Sequence, residues 1–102
     1  MNTPSGSPVA VVTGGARRVG RQLCTTLAAR GYDLVILYRD SEAEARSLEQ
    51  ELRTNGRRGR ALAADVGVES QVASVFEDIA GVEGRIDLLV NDFVHRAVTD
   101  RT

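Results

Sequence analysis

Glycines and arginines follow an apolar run in the stretch TGGARRVG, residues 13–20. Gly14, Gly15 and Gly20 lack the side chains that would keep the backbone away from a bulky anion. A strand that ends in such a turn and passes into a helix presents free backbone N–H groups, at the positive end of the helix dipole, to a phosphate. The stretch therefore indicates a phosphate-binding turn. The alternative is a tight strand-to-helix turn that uses glycine for its geometry alone.

A second polar group, Tyr38-Arg39-Asp40, follows the next apolar run. In a dinucleotide-binding fold, an acid at this place binds the ribose hydroxyls, whereas an arginine accommodates a 2′-phosphate. Arg17 of the glycine turn can approach Arg39, and paired guanidinium groups suit a phosphate because each offers a planar set of donors. The residues therefore predict NADP(H) as the ligand. Two alternatives stay open, because Asp40 would favour NAD and Arg39 could be a solvated loop residue paired with Asp40.

The elements that must position these residues alternate along the chain. Apolar runs of the kind that form buried parallel strands lie at residues 9–13, 34–38, 60–64 and 86–90. Helical periodicity covers residues 16–30, a segment from Ser41 to Asn55 and the residues around 72–79, and Ser41 with Glu44 fits a capping box. The β-α-β-α-β-α-β order predicts a Rossmann-like α/β fold, a parallel sheet with right-handed crossovers that is truncated after the fourth strand.

We expect the chain to have three parts. Residues 1–8 form a flexible N-terminal segment, residues 9–91 form an NADP(H)-binding Rossmann half-domain, and residues 92–102 form an atypical C-terminal tail. In the strand order 3-2-1-4, the first two helices cover one face of the sheet and the third helix covers the other. The fourth strand is then an edge, and we expect marginal stability or self-association through it.

Four short segments at the ends of successive predicted strands, TGGARRVG, YRD, ADV and LLVN, resemble the short-chain dehydrogenase/reductase family. Arg18 stands where the family's T-G-x-x-x-G-x-G turn has its middle glycine, and this arginine, like the segment YRDSEAEA, is similar to the pteridine-reductase branch. That branch uses NADPH, so the resemblance implies an NADP(H)-dependent oxidoreductase. The cofactor-binding residues that it implies are Gly14, Arg17, Arg18, Val19, Gly20, Tyr38, Arg39, Asp65, Val66 and Asn91. Within this set, Arg39 would face the 2′-phosphate and Asp65 the adenine amine.

The family's catalytic residues are a tyrosine and a lysine in the spacing Y-x-x-x-K, preceded by a serine, and the resemblance does not extend to them. All 13 basic residues of the chain are arginine, and Tyr32 and Tyr38 are its two tyrosines. Ile36 and Glu42 stand where a lysine would follow them. Beyond Asn91, where the family continues with Asn-Ala-Gly, the chain reads DFV. We therefore expect a chain that binds its cofactor without catalysis, and the residues indicate no substrate.

Three interpretations of the chain stay open. In the first, it is the cofactor-binding part of a short-chain reductase whose reading frame ends early through a frameshift or truncation. In the second, it is a genuine non-catalytic module that senses a nucleotide or completes its sheet with another polypeptide. In the third, it is a small Rossmann-like fold for another adenosine ligand such as S-adenosylmethionine.

Composition narrows the partners and the compartment. The formal net charge of −1 offers no general attraction to nucleic acid or to acidic membranes. A single cysteine, Cys24, excludes an internal disulfide, and one histidine, His95, is too few for a Cys/His metal cluster. We interpret Cys24 as a small semi-buried hydrophobe and His95 as an exposed bystander. The absence of a secretory signal and of an apolar span of about 20 residues predicts a cytoplasmic protein.

Overall fold

The computed structural model describes residues 7–14 and 18–91 as an alternation of strands and helices. The elements are β1 (Val9–Thr13), α1 (Arg18–Ala29), β2 (Asp33–Tyr38), α2 (Glu42–Thr54), β3 (Gly59–Ala63), α3 (Glu69–Val82) and β4 (Leu88–Asn91). The four strands form one parallel sheet in the order β3-β2-β1-β4. This confirms the predicted Rossmann-like fold and its strand order.

The strands β1 and β2 form the centre of the sheet and are buried at every position. Their sequences, VAVVT and DLVILY, are rich in β-branched and apolar residues, which suit a pleated surface covered on both sides. In their register, Val9 lies beside Asp33 and Thr13 beside Leu37. The rest of the sheet is built outward from this pair, with β3 beside β2 and β4 beside β1.

Alternate side chains of the central strands pack on opposite faces of the sheet. One face carries a core formed by Ala10, Val12, Leu34 and Ile36 of the strands, Cys24 and Leu27 of α1, and Leu48 and Leu52 of α2. The other face carries a core that includes Val9, Val11, Val35 and Leu37 of the strands with Val75 and Ile79 of α3. Two helices therefore cover one face and one helix covers the other, as predicted.

Glycines with a left-handed backbone end α1 and α2. The φ angle is 100° at Gly31 and 81° at Gly56. After α1, the N–H of Gly31 donates to the carbonyl of Ala28 at 3.0 Å and the N–H of Tyr32 donates to that of Leu27 at 3.1 Å. These are the two hydrogen bonds of a Schellman motif. Gly56 and the residue after it make the same pair of bonds at the end of α2.

Several predicted details at the ends of the elements are wrong. Ser41 is the N-cap of α2, but its side chain makes no capping hydrogen bond, so the predicted capping box does not form. Its φ of −104° and ψ of 56° lie outside the extended conformation that a capping side chain requires. The predicted start of α1 at residue 16 lies outside the described residues, whereas β3 and β4 are displaced by one or two residues from the predicted runs. Element ends depend on individual backbone hydrogen bonds, which periodicity does not report.

Charged side chains join the elements near the amino ends of the strands. Arg60 of β3 donates to the Glu83 carboxylate through Nε at 2.8 Å and through Nη2 at 3.0 Å, which ties the edge strand to the end of α3. Arg57 donates to the carbonyl of Gly31 at 2.9 Å and lies 3.8 Å from the buried Asp33 carboxylate. The loops that follow α1 and α2 are therefore joined at this end of the sheet.

β4 is the last strand of the sheet on the side of β1. Leu88 and Val90 pack against the core beneath α1 and α2, whereas Leu89 points to the other face and is 50% exposed. α3 packs over the central strands and leaves this part of the sheet uncovered by the described residues. The predicted edge position of the fourth strand is confirmed within the part of the chain that the structure describes.

Within residues 7–14 and 18–91, no helix has the length and apolar character that crossing a membrane requires. The same residues contain no group of three His, Cys, Asp or Glu side chains placed to hold a metal ion.

Candidate functional site

The carboxyl ends of all four strands lie at one edge of the sheet, because every strand pair is parallel. Gly14 follows β1 with a φ of 70°, and its N–H donates to the carbonyl of Leu37 at 2.9 Å. Asn91 lies opposite Thr13 at the end of β4. Gly14 and Asn91 therefore lie at the edge where an α/β sheet binds its ligand.

The amino end of α1 is suited to a negatively charged group. No acidic residue lies in its first turn, whereas Glu42 and Glu44 occupy the first turn of α2 and Glu69 that of α3. The N–H groups of this turn and the dipole of α1 therefore face no carboxylate of their own first turn. Gly20 is buried within the same turn of α1, as a close approach of the helix to the sheet requires.

Arg39 stands exposed at the end of β2, between two carboxylates. Its Nε donates to Oδ2 of Asp40 at 3.0 Å, and its Nη1 lies 4.0 Å from Oδ2 of Asp65. The hydrogen bond with Asp40 is the main cause that raises the pKa of Arg39 above its ordinary value, so the side chain carries a fixed positive charge. The Arg39 side chain is 59% exposed, which leaves it accessible to a ligand.

Asp65 is held in place by the loop between β3 and α3. The N–H of Ala64 donates to the carbonyl of Tyr38 at 2.8 Å, which continues the ladder to the end of β3. The N–H of Asp65 donates to Oε1 of Gln71 at 2.7 Å, and Oδ1 of Asp65 accepts from the N–H of Gly67 at 2.9 Å. These bonds leave Oδ2 directed toward Arg39. The sequence carried no signal for the contribution of Gln71, which lies in α3, six residues further along the chain.

Val66 follows Asp65 and packs against the core beneath α3. Its half-buried side chain fixes the start of the loop rather than extending into solvent.

Tyr38 turns its side chain into the core, away from the exposed Arg39. The residue is 7% exposed, and its ring packs with Ala45 and Ala61. Arg46 of α2 donates to the Tyr38 hydroxyl at 3.4 Å, and its guanidinium carbon lies 5.9 Å from the ring centroid. At the ligand edge Tyr38 therefore offers its backbone, and its ring anchors α2. Sequence reasoning missed Arg46, which is one of two arginines in a charged helix.

Some predicted site residues lie outside what the structure describes. Arg17 is outside the described residues altogether. The backbones of Arg18 and Val19 form the first turn of α1 and that of Asn91 ends β4, while their side chains are outside the description. The structure thus brings together Gly14, Gly20, Arg39 and Asp65 at one edge and leaves the arginines of the glycine turn as predictions.

Comparison with known protein families shows which family this chain belongs to. A family model for the short chain dehydrogenases matches residues 8–94. The chain belongs to this family. The match covers every strand and helix of the fold and the whole ligand edge of the sheet.

A curated relative of this short-chain dehydrogenase chain is the 3-oxoacyl-(acyl-carrier-protein) reductase FabG of Staphylococcus epidermidis, which is 30% identical over 83 residues. The alignment covers 81% of the present chain and 34% of the reductase. The chain therefore spans about a third of the length of the curated relatives that it matches.

Solved structures that match the fold hold different bound cofactors. A blue fluorescent protein from a metagenomic library, in complex with NADPH, is 38% identical with a TM-score of 0.75, over 80% of this chain and 34% of that one. FolM alternative dihydrofolate reductase 1 from Brucella canis, in complex with NADP, is 27% identical with a TM-score of 0.72. The match covers 80% of this chain and 33% of that one. A short-chain dehydrogenase/reductase from Burkholderia phymatum, in complex with NAD, is 28% identical with a TM-score of 0.76. The match covers 81% of this chain and 29% of that one.

Proposed function

We propose that this short-chain dehydrogenase chain binds NADP(H) at the carboxyl edge of its sheet. The observation that carries the proposal is the exposed guanidinium of Arg39 at the end of β2, where a dinucleotide-binding fold meets the adenosine ribose. A guanidinium at this place pairs with a 2′-phosphate, which NADP(H) has and NAD(H) lacks. The matched complexes with NADPH and NADP support this choice, and the matched NAD complex makes the selectivity a quantity to be measured.

The residues of the edge fit the parts of the cofactor. Gly14, Gly20 and the first turn of α1, with Arg18 and Val19, would hold the pyrophosphate through backbone N–H groups. Arg17 and Arg39 would hold the 2′-phosphate, and Asp65 would accept a hydrogen bond from the adenine amine while Val66 supports its loop. Tyr38 would act through the backbone that positions Arg39, and Asn91 would line the end of β4. When bound, the nicotinamide supplies a hydride donor or acceptor.

We further propose that these 102 residues bind the cofactor without catalysing hydride transfer. The chain contains no lysine, and neither Tyr32 nor Tyr38 has a basic residue in the spacing Y-x-x-x-K. Tyr38 is moreover packed into the core, out of reach of a ligand at the edge. A bound cofactor without a positioned acid makes no efficient reductase.

The pteridine-reductase branch is the finer assignment that we propose within the family. Arg18 at the middle glycine position and the segment YRDSEAEA favour it. The match to FolM alternative dihydrofolate reductase 1 supports this assignment.

Titration of the purified chain with NADPH, NADH and S-adenosylmethionine tests the cofactor proposal. We expect NADPH to bind most tightly, measured by the change in its fluorescence, and Arg39→Ala to weaken NADPH at least about tenfold because a charged hydrogen-bonded pair contributes roughly 1.5–3 kcal/mol. Arg30→Ala, which removes an exposed arginine at the opposite edge, is the matched control and should leave binding unchanged. Equal affinities for NADPH and NADH, or tighter S-adenosylmethionine binding, would refute the proposal.

A second candidate function is a non-catalytic module that completes its sheet with another polypeptide. The half-exposed Leu89 and the terminal position of β4 favour it, because a strand edge beside an apolar surface is a template for pairing. The partner that we propose is a second copy of the chain, so the two functions can coexist.

A further inference from the structure

The strand β3 ends the sheet on the side opposite β4, and α2 lies directly against it. Ala61, in the middle of β3, is only 5% exposed, although no further strand follows it in the sheet. At Gly59 an added Cβ would lie 2.8 Å from Cδ1 of Leu52 and 3.0 Å from its Cβ, so a glycine permits the close approach of the helix. The helix therefore covers the edge strand itself as well as the face of the sheet.

The outer edge of β3 is formed in its middle by the backbone of Ala61. The N–H of Leu34 in β2 donates to the carbonyl of Arg58 at 2.9 Å, just before β3. The N–H of Ala64 donates to the carbonyl of Tyr38 at 2.8 Å, just after β3. The even-numbered residues of this segment therefore bond to β2, and, since direction alternates along a strand, the N–H and carbonyl of Ala61 point outward. A further strand would pair with these two groups.

Two side chains of α2 bond to the outward groups of Ala61. Oε2 of Glu49 accepts from the N–H of Ala61 at 3.1 Å, and Nη1 of Arg46 donates to the Ala61 carbonyl at 3.3 Å. The same Nη1 lies 3.3 Å from Oε1 of Glu49, so the two side chains also hold each other in place. Arg46 and Glu49, which we call the closing pair, thus supply the donor and the acceptor that a neighbouring strand would supply.

The edge of β4 is not covered in this way. Among the residues that the structure describes, no helix side chain bonds to the backbone of β4, whose Leu89 is half-exposed. The two ends of the sheet therefore differ in kind. The end at β3 is closed by side chains of α2, and the end at β4 is open to another strand.

We infer that Arg46 and Glu49 prevent strand addition at β3, so that copies of this chain pair through β4 alone and the assembly ends at two. The inference rests on the self-pairing proposed above as the second candidate function, and it adds the stoichiometry. When two copies pair through β4, both outer edges of the joined sheet are β3 strands, and both carry the closing pair. An open β3 edge would instead allow copies to add without limit.

Opening β3 while β4 is blocked tests the inference directly. Leu89→Asp opposes association through β4, and Leu89→Asp/Glu49→Ala also frees the outward N–H of Ala61. We expect Leu89→Asp to stay monomeric, and the double variant to approach at least twice its weight-average mass in sedimentation equilibrium at the same high concentration. Leu89→Asp/Glu44→Ala is the matched control, because it removes an exposed carboxylate of the same helix and should stay monomeric.

Hydrogen exchange at Ala61 reports the closing of the edge without any association. The N–H of Ala61 should exchange slowly in the parent chain and at least about tenfold faster in Glu49→Ala, because a hydrogen bond to a charged acceptor is lost. Glu44→Ala should leave the rate unchanged. A thermal melt shows that each variant is folded. Arg46→Ala, which frees the Ala61 carbonyl, opens the same edge and replaces Glu49→Ala if that variant does not fold.

The outcomes separate the inference from the proposed self-pairing. If Leu89→Asp/Glu49→Ala is folded, loses protection at Ala61 and still stays monomeric, the closing pair does not prevent association and the inference is wrong. It is also wrong if the control with Glu44→Ala associates equally, or if the parent chain forms assemblies larger than a dimer. If the parent chain is monomeric at all concentrations, the self-pairing and its stoichiometry fail. The closing of β3 is then upheld if Glu49→Ala makes the chain associate, and refuted if it does not.

Discussion

Adjacent residues at the end of β2 have opposite surroundings, since Tyr38 is packed in the core and Arg39 is exposed. The presence of a polar group after this strand could be predicted, because the apolar run ends there in the sequence. The pair of Arg39 with its neighbour Asp40 was among the predicted alternatives, but the partners from more distant elements could not be predicted. Arg39 meets an acid from the next strand's loop and Tyr38 meets an arginine of α2, and such pairs depend on how separate elements pack.

Cys24 followed the expectation more closely than the charged residues did. It lies on the face of α1 that packs against the sheet and is wholly buried, where a semi-buried side chain was expected, and burial raises its pKa to about 12. A side chain on the apolar stripe of a helix has its environment set by that helix, so local periodicity is enough to predict it.

Asp87 carries a prediction at the scale of one residue. Its Oδ2 accepts from the N–H of Val9 at 2.8 Å, and Arg85 donates to both oxygens at 2.7 and 2.8 Å. The hydrogen bonds from Arg85, followed by that from Val9, hold the pKa of Asp87 below its ordinary value. A carboxylate with a lowered folded pKa stabilises the fold above its unfolded pKa, near 4, and the contribution is lost as the pH falls through the lower folded value.

We therefore expect Asp87→Asn to unfold at lower urea concentration than the parent chain at pH 7. The difference between the two should shrink as the pH falls below about 4 and the parent carboxylate is protonated. Glu77→Gln, an exposed change in α3, is the control and should follow the parent at every pH. A difference that stays constant from pH 7 to pH 3 would show that the ionised form of Asp87 adds nothing.

The sequence predicted the type and order of the helices and strands, and it predicted the positions of their ends less accurately. The buried runs of β1 and β2 show as continuous apolar segments, and the Gly31 and Gly56 ends show as glycines after helical periodicity. The capping box predicted at Ser41 does not form. Its residue types fit the motif, but the backbone angles of Ser41 do not. The angles depend on how the chain leaves β2, which no local pattern contains.

Two glycines in different backbone conformations give opposite predictions at the scale of an element. Gly56→Ala should destabilise the fold by about 1 kcal/mol, because a φ of 81° strains a residue with a Cβ. The strain is in the backbone alone, since the added Cβ would have no neighbouring atom within 4 Å. Gly81→Ala should stabilise it by about 0.5–1 kcal/mol, because it replaces a helical glycine that faces open space. Urea unfolding measures both. Equal effects of the two substitutions would contradict the assigned backbone conformations.

The molecule as a whole is a sheet with two helices on one face and one helix on the other. Its polar contacts lie at the amino and the carboxyl ends of the strands. Parallel topology let the sequence predict where the ligand edge lies, because loops after successive strands must meet there. The open end of the sheet at β4 followed from the strand order. The pairing of Arg39 with Asp40 was one of the alternatives that the sequence left open, but the contact of Arg39 with Asp65 did not follow from topology, which places loops less accurately than an ion pair requires.

Self-association is the prediction that belongs to the whole molecule. Sedimentation velocity of the chain should show a mass that rises with protein concentration, through pairing at β4 and its exposed Leu89. Leu89→Asp should shift the chain toward monomer, since a charge on that apolar surface opposes its burial. Val68→Asp, at an exposed apolar residue at the start of α3, is the control and should keep the parent behaviour. A parent chain that stays monomeric at all concentrations would rule out this partner.

The Arg57–Asp33 contact and the tie from Asp87 to Val9 lie at the end of the sheet opposite Arg39 and Asp40. Along β2, for example, Asp33 at one end and Arg39 just beyond the other are six residues apart. Among the described residues, no side chain belongs both to these loop contacts and to the candidate ligand edge. Substitutions at the candidate ligand edge can then accumulate while the contacts at the opposite edge keep the loops joined. A protein engineer could redesign positions 39 and 40 together in this chain without first adding compensating mutations elsewhere.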